Sequence, residues 1–264
     1  MSREAPRITV HRDLPFRETD ERTLHLDVYE PSESGPSPAV LFVHGGGFVA
    51  GDKGQFARQA LDFADEGYVT VESQYRLGPE ASFPAALVDV KAAVEWLRSE
   101  GPDYGVDPDR IAVVGHSAGG NLAALAAVTA DEPAFEPERY PGASSAVDAL
   151  VGYAGIYDVA AWDDPAANRE YVRGTPAEDP ERFDLASPLG QEDVTTPPTL
   201  LVHGTDDEAV DPDQSERFHA ALDAVTEADL ELLSGDGADH QFPHYAATYE
   251  RTLDRTTDFL DERL

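Results

Sequence analysis

The stretch RIAVVGHSAGGNLAALAA, residues 110–127, decides the fold. Its β-branched apolar run, Ile111 to Val114, leads without a break into Gly-His-Ser-Ala-Gly-Gly, and a run of small residues with helical character follows at once. A strand that turns directly into a helix at Ser117 projects the hydroxyl from the carboxyl end of a sheet, on a sharp and strained bend. Gly115 and Gly119 suit that bend because positions two before and two after the serine leave no room for a Cβ. The helix beyond Ser117 aims its first N–H groups at any negative charge that develops there.

Working outward, short β-rich runs alternate with longer amphipathic ones, the pattern of an α/β fold with a mostly parallel sheet and helices on both faces. PAVLFVHG (38–45), YVTVESQY (68–75), ALVGYAG (149–155) and PTLLVHGT (198–205) have the unbroken apolar character of strands covered on both sides. DLELLSG (229–235) is predicted as the last strand, and RITVHRDLPF (7–16) with TLHLDVYEP (23–31) as an antiparallel hairpin. Helical periodicity marks residues 55–67, 83–101, 121–130, 213–225 and 245–264. In the second of these, Leu87, Val90, Val94 and Leu97 form a stripe that predicts a core-facing side. The segment from Tyr157 to Gln191 is richer in Pro, Asp and Trp and breaks the alternation. It reads as a small cap inserted into a single domain spanning 1–264.

Composition narrows the possible partners. The 264 residues carry 52 acidic against 19 basic side chains, a formal net charge of -33. The acids are spread along the whole chain, and the only lysines are Lys53 and Lys91. Such a surface repels phosphate backbones and anionic headgroups, which argues against nucleic-acid and membrane partners. The balance resembles that of cytoplasmic proteins from extreme halophiles, where concentrated salt screens the repulsion. The first residues, MSREAPRITVHRDLPF, have charges where a signal peptide needs an apolar core, so a cytoplasmic protein is expected. With no cysteine, thiolate catalysis and Cys-ligated zinc are excluded.

A second motif lies upstream, VHGGGFVAGD (43–52), again after a strand. The N–H groups of Gly46 and Gly47 there, with that of Ala118, are candidates for an oxyanion hole, because glycines let the main chain approach a substrate oxygen. A serine hydroxyl also needs a base, and the base a carboxylate to orient it. TDDEAVD (205–211) offers Asp206 and Asp207, and GDGADHQFPHY (235–245) offers His240 and His244. A metal site on the two histidines is disfavoured by Pro243 between them, so no metal is expected.

With these motifs the chain resembles the α/β-hydrolase fold, in particular the HGGG-containing carboxylesterases related to hormone-sensitive lipase and the acetyl-xylan and feruloyl esterase-like proteins. YRLGPEASFPAALVDVKAAVEWL and RGTPAEDPERFDLASPL are similar to further segments of that family. The resemblance implies ester hydrolysis without a cofactor, on a small-molecule ester. Matching its His-Gly-x-x-Asp-x-x-Val-Pro pattern places the acid at Asp207, although Asp211 replaces the proline. Its Gly-x-x-His pattern places the base at His240, with His244 as a capping or surface residue. Tyr75 and Arg76 are expected to brace the oxyanion loop, Arg76 held by backbone carbonyls. Phe48, Trp162 and Tyr171 are candidates for the substrate pocket or, equally, for core packing. His44, His116 and His203 are expected to make packing and loop contacts. Short-chain carboxylesterase is the leading reading, with an arylformamidase or a non-catalytic binding protein on the same fold as alternatives.

Overall fold

A computed structural model describes residues 8–32, 35–130, 132–137, 139–140, 142–191, 196–222 and 225–264. Residues 1–7, which include the start of the predicted hairpin, and residues 223–224 of a predicted helix lie outside the described residues. The hairpin is present as β1 (Thr9–Glu18) and β2 (Thr23–Glu30), paired antiparallel. Six further strands follow: β3 (Ser37–Val43), β4 (Val69–Ser73), β5 (Val106–His116), β6 (Ala149–Tyr153), β7 (Thr199–Gly204) and β8 (Ala228–Leu233). They make one sheet in the order β1-β2-β4-β3-β5-β6-β7-β8. The β2–β4 pair is antiparallel and every later pair parallel.

Because successive strand residues point to opposite faces, the apolar runs feed two separate cores. Val40 and Phe42 of β3 with Ala112 and Val114 of β5 pack with Phe63 of α1 (Ala57–Asp65) and Phe259 and Leu260 of α7 (Ala246–Asp261). Leu41 and Val43, with Val113, belong to the other core. There they join Leu87, Val90, Val94 and Leu97 of α2 (Ala85–Ser99), all fully buried, and Leu122 of α3 (Ala118–Val128). Each such side chain contributes about 1.5–3 kcal/mol by leaving water.

Between β6 and β7 the helical alternation gives way to two short helices, α4 (Pro165–Tyr171) and α5 (Pro180–Leu185). Each opens on proline and is capped by the preceding aspartate: Asp164 accepts from the Ala167 N–H at 3.0 Å, and Asp179 from that of Arg182 at 3.3 Å. α6 (Asp213–Leu222) follows β7 and packs with the α2 and α3 layer through Phe218 and Leu222.

α3 starts three residues earlier than its periodicity predicts, at Ala118, and takes in Gly119 and Gly120. Crowding explains it, since a Cβ on Gly119 would overlap the Val43 carbonyl oxygen and one on Gly115 the Gly119 carbonyl. The β5–α3 turn can nest against the end of β3 only with glycine at both positions.

Candidate active site

Ser117 sits between the end of β5 and the start of α3 with φ 57° and ψ -121°, a conformation that L side chains rarely adopt. The turn is held by the Ser117 N–H, which donates to the Tyr153 carbonyl at 2.8 Å, and by the Asn121 N–H, which donates to the Ser117 carbonyl at 3.1 Å. Strain kept in place by its surroundings is a mark of functional turns. The side chain faces His240, from the loop beyond β8, and its Oγ lies 2.9 Å from His240 Nε2.

The other nitrogen of that ring, Nδ1, donates to Asp207 Oδ2 at 2.6 Å. Asp207 lies in the loop after β7 with its side chain wholly buried, whereas its neighbour Asp206 is exposed. Oδ1 of Asp207 accepts from the Ala209 and Val210 N–H groups, each at 2.9 Å, so the loop folds around its own carboxylate. Burial pushes this carboxyl's pKa up, but the hydrogen bonds from His203, His240 and Val210 outweigh it and hold the group well below the usual carboxylate range.

The segment after β3 adjoins the serine: a Cβ added to Gly45 would lie 3.2 Å from Ser117 Cβ. The Gly46 carbonyl accepts from Val49 and Ala50 at 3.1 and 3.0 Å, a tight turn that puts Gly46 at φ 123°. Ala118 holds the first position of α3, where helix geometry provides no partner for its N–H. The expected donors Gly46, Gly47 and Ala118 thus sit on the two backbone segments that flank Ser117. Tyr75 braces this loop, its ring stacked on His44 at 4.1 Å and its hydroxyl donating to the His44 carbonyl at 3.0 Å.

Arg76 differs from expectation. Carboxylates hold it more closely than the one backbone carbonyl it reaches: Nε and a terminal nitrogen meet the two oxygens of buried Asp89 at 2.9 and 3.1 Å, Glu21 lies at 3.2 Å, and the Ala85 carbonyl accepts at 3.5 Å. A guanidinium largely removed from water is better satisfied by a bidentate carboxylate than by a carbonyl.

Of the three pocket candidates, Phe48 and Tyr171 are fully buried and stacked on each other at 3.8 Å. Trp162 is partly exposed, lies edge-on to Phe48, and donates from its indole N–H to the Ala209 carbonyl at 3.2 Å. Its ring passes 3.5 Å from where a Cβ on Gly47 would be. One side chain thus spans the loop after β3, the 157–191 segment and the loop after β7.

The remaining histidines make the expected packing and loop contacts, and two of those contacts fall on His240 and Asp207. His116 Nε2 donates to the main-chain carbonyl of His240 at 2.8 Å, and burial, then the charges of His240 and His244, lower its pKa to about 3. His244 is not a surface cap; it is half-buried, edge-on to His116 and Phe56 with 5.3 Å between centroids in each case. His203 approaches Asp207 itself, Nε2 to Oδ2 at 3.1 Å. Its place four residues before Asp207 was the one sequence signal for that contact; nothing local marks the reach of His116 to residue 240.

A serine presented at a strand-to-helix turn of this sheet defines an α/β-hydrolase fold. Residues 26–222 match the BD-FAE family model, and the chain belongs to that family. Esterase LipC of Mycobacterium tuberculosis is 34% identical, the alignment covering 88% of this chain and 60% of LipC. Esterase LipQ of the same organism is 32% identical, over 94% of this chain and 61% of LipQ. The chain therefore spans about three fifths of the length of these relatives. Among solved structures, the butyrate-bound thermophilic esterase Est2 of Thermogutta terrifontis superposes with a TM-score of 0.81 at 25% identity, covering 98% of this chain and 94% of that one. A bifunctional GH43-CE protein of Bacteroides eggerthii reaches 0.85 at 26% identity, over 96% of this chain and 38% of its own.

Proposed function

We propose that this protein is a serine carboxylesterase acting on short acyl esters, with Ser117 as nucleophile, His240 as base and Asp207 as the acid that orients it. The observation that carries the reading is the unbroken hydrogen-bonded run from Ser117 Oγ through His240 to Asp207 Oδ2, 2.9 and then 2.6 Å. In this reading His240 Nε2 takes the Ser117 proton as Oγ bonds to the ester carbonyl carbon, and Asp207 stabilises the imidazolium. The N–H groups of Gly46, Gly47 and Ala118 receive the oxyanion. Collapse breaks the bond to the alcohol, which leaves with the proton from His240. Water, deprotonated by His240, then attacks the acyl-enzyme, releasing the acid and restoring Ser117. Relatives that are themselves esterases, LipC and LipQ, support the reading, and Est2 has been solved with butyrate and with propionate bound.

We take residues 1–264 as one domain, with 157–191 as its cap. Two helices of seven and six residues make a small cover, and Trp162 of the same segment lies beside Gly47 and Ala209. Long acyl chains need an extended apolar groove. Across p-nitrophenyl esters from acetate to palmitate, assayed beside an acetylated sugar and N-formylkynurenine, the best turnover is expected between acetate and hexanoate. A palmitate optimum would contradict the short-chain assignment, preferred turnover of N-formylkynurenine would make the protein an arylformamidase, and silence on all substrates would point to a binding protein.

The same reading places the enzyme in a saline cytoplasm. Neither lysine is freely exposed: Lys53, partly buried, pairs with Asp13 and Asp27 at 2.8 and 2.6 Å, and Lys91 is fully buried. The groove between α1 and α7 gathers Asp62, Asp65, Glu66, Asp254, Asp258 and Asp261 around Arg58. Their repulsion opposes the folded state, and the screening length falls from about 10 Å at 0.1 M salt to about 3 Å at 1 M. Melting temperature and activity are expected to rise steeply from dilute buffer to molar KCl, with sucrose giving a smaller rise because it does not screen charge. Equal melting temperatures in dilute buffer and molar KCl would remove the halophilic assignment.

No helix among the described residues is long and apolar enough to cross a membrane.

A further inference from the structure

We propose that His203 is a positioning residue for the site: its Nε2–H holds the Asp207 carboxylate in place and, by sharing Oδ2 with His240, moderates the pull of Asp207 on that ring. The inference rests on the esterase reading above. His203 is the penultimate residue of β7 and has no exposed surface. Its Nε2 lies 2.9 Å from the Val210 carbonyl oxygen and 3.1 Å from Asp207 Oδ2. A carbonyl can only accept, so Nε2 carries the hydrogen and shares it between the two oxygens. Nδ1 is then the acceptor, and the buried Ser215 hydroxyl of α6 donates to it at 2.7 Å. One ring thus ties the end of β7, the acid loop and α6 together behind the carboxylate.

Oδ2 therefore serves two imidazoles, His240 at 2.6 Å and His203 at 3.1 Å. A carboxylate oxygen shared by two N–H donors offers less charge to each than it would to one alone. The groups facing His240 are Asp207 from the acid loop, His116 from the end of β5 and His244 from the turn beyond the base. Of these, Asp207 is the one that His203 touches directly.

The test compares His203→Phe, His203→Gln and Ser215→Ala with the wild type in molar KCl, each assayed per active site titrated with a serine-directed phosphonate. The phenyl ring keeps the volume without a donor, and kcat is expected to fall about a hundredfold as the carboxylate loses its fixed orientation. The acid limb of the kcat/KM profile is expected to move up by about one pH unit, because Oδ2 is left to His240 alone. His203→Gln restores an N–H at nearly the same reach and should recover most of the rate and the wild-type limb. Ser215→Ala leaves Nδ1 without its donor and should move the limb in the same direction by less; this variant carries the test if His203→Phe does not fold. A variant that only loosens the fold would lower the melting temperature and the titratable fraction while leaving kcat per site and the limb unmoved, and that result overturns the proposal. Activity persisting in Ser117→Ala would overturn the esterase site itself, and the proposal with it.

Discussion

Ester hydrolysis is expected to disappear in Ser117→Ala, with turnover falling by something on the order of a millionfold while the fold persists. The substitution removes one oxygen and keeps the Cβ, so the backbone bend at φ 57° is no harder for alanine to adopt than for serine. The turn's own ties survive, because the Ser117 N–H to Tyr153 and the Asn121 N–H to Ser117 are main-chain contacts. What is lost is the atom 2.9 Å from His240 Nε2, the only one placed to form the acyl bond in the proposed mechanism. Steady-state assays measure the loss, circular dichroism and thermal melting check the fold, and mass spectrometry after phosphonate treatment should find the wild type labelled at residue 117 and the variant unlabelled. Labelling that persists would move the nucleophile elsewhere.

Asp207→Asn is expected to cost about ten-thousandfold in turnover, as removal of the acid's charge does in other sites of this type. Four hydrogen bonds converge on the carboxylate, two from main-chain N–H groups and two from imidazoles. An amide has one oxygen to offer them, so its NH2 must face a donor: either the acid loop loosens or His240 is driven to the other tautomer, with its lone pair turned away from Ser117. The neighbouring Asp206→Asn, on an exposed side chain, should leave turnover nearly unchanged. If the two variants exchange phenotypes, the acid is Asp206. Stability follows with a definite sign. A carboxyl whose folded pKa lies below its ordinary 3.8 stabilises the fold above that pH and loses the contribution as pH falls through the folded value. The stability gap between wild type and Asp207→Asn should therefore be full at neutral pH and close on acidification below about pH 4.

What the amino-acid sequence determined by itself is whatever repeats over a few residues. Unbroken apolar runs at 39–43, 111–114 and 200–202 specify strands covered on both faces, and the Leu87–Leu97 stripe specifies the side of α2 that meets them. The glycines around Ser117 specify the turn, since sterics there act between atoms a few positions apart or on the adjoining strand end. Choosing between Asp206 and Asp207 needed the wider family pattern, because adjacent acids look alike locally. Tertiary structure turns one inward to His240, 33 residues away, and leaves the other in water. It also decided which aromatics stay accessible: Phe48 and Tyr171 are stacked and buried, Trp162 is not. The hold of His116 on the His240 main chain and of His203 on Asp207 likewise arises only when separate strand ends and loops meet at the carboxyl ends of the strands. Burial and hydrogen-bond partners depend on what packs from elsewhere in the chain, and no local period encodes that.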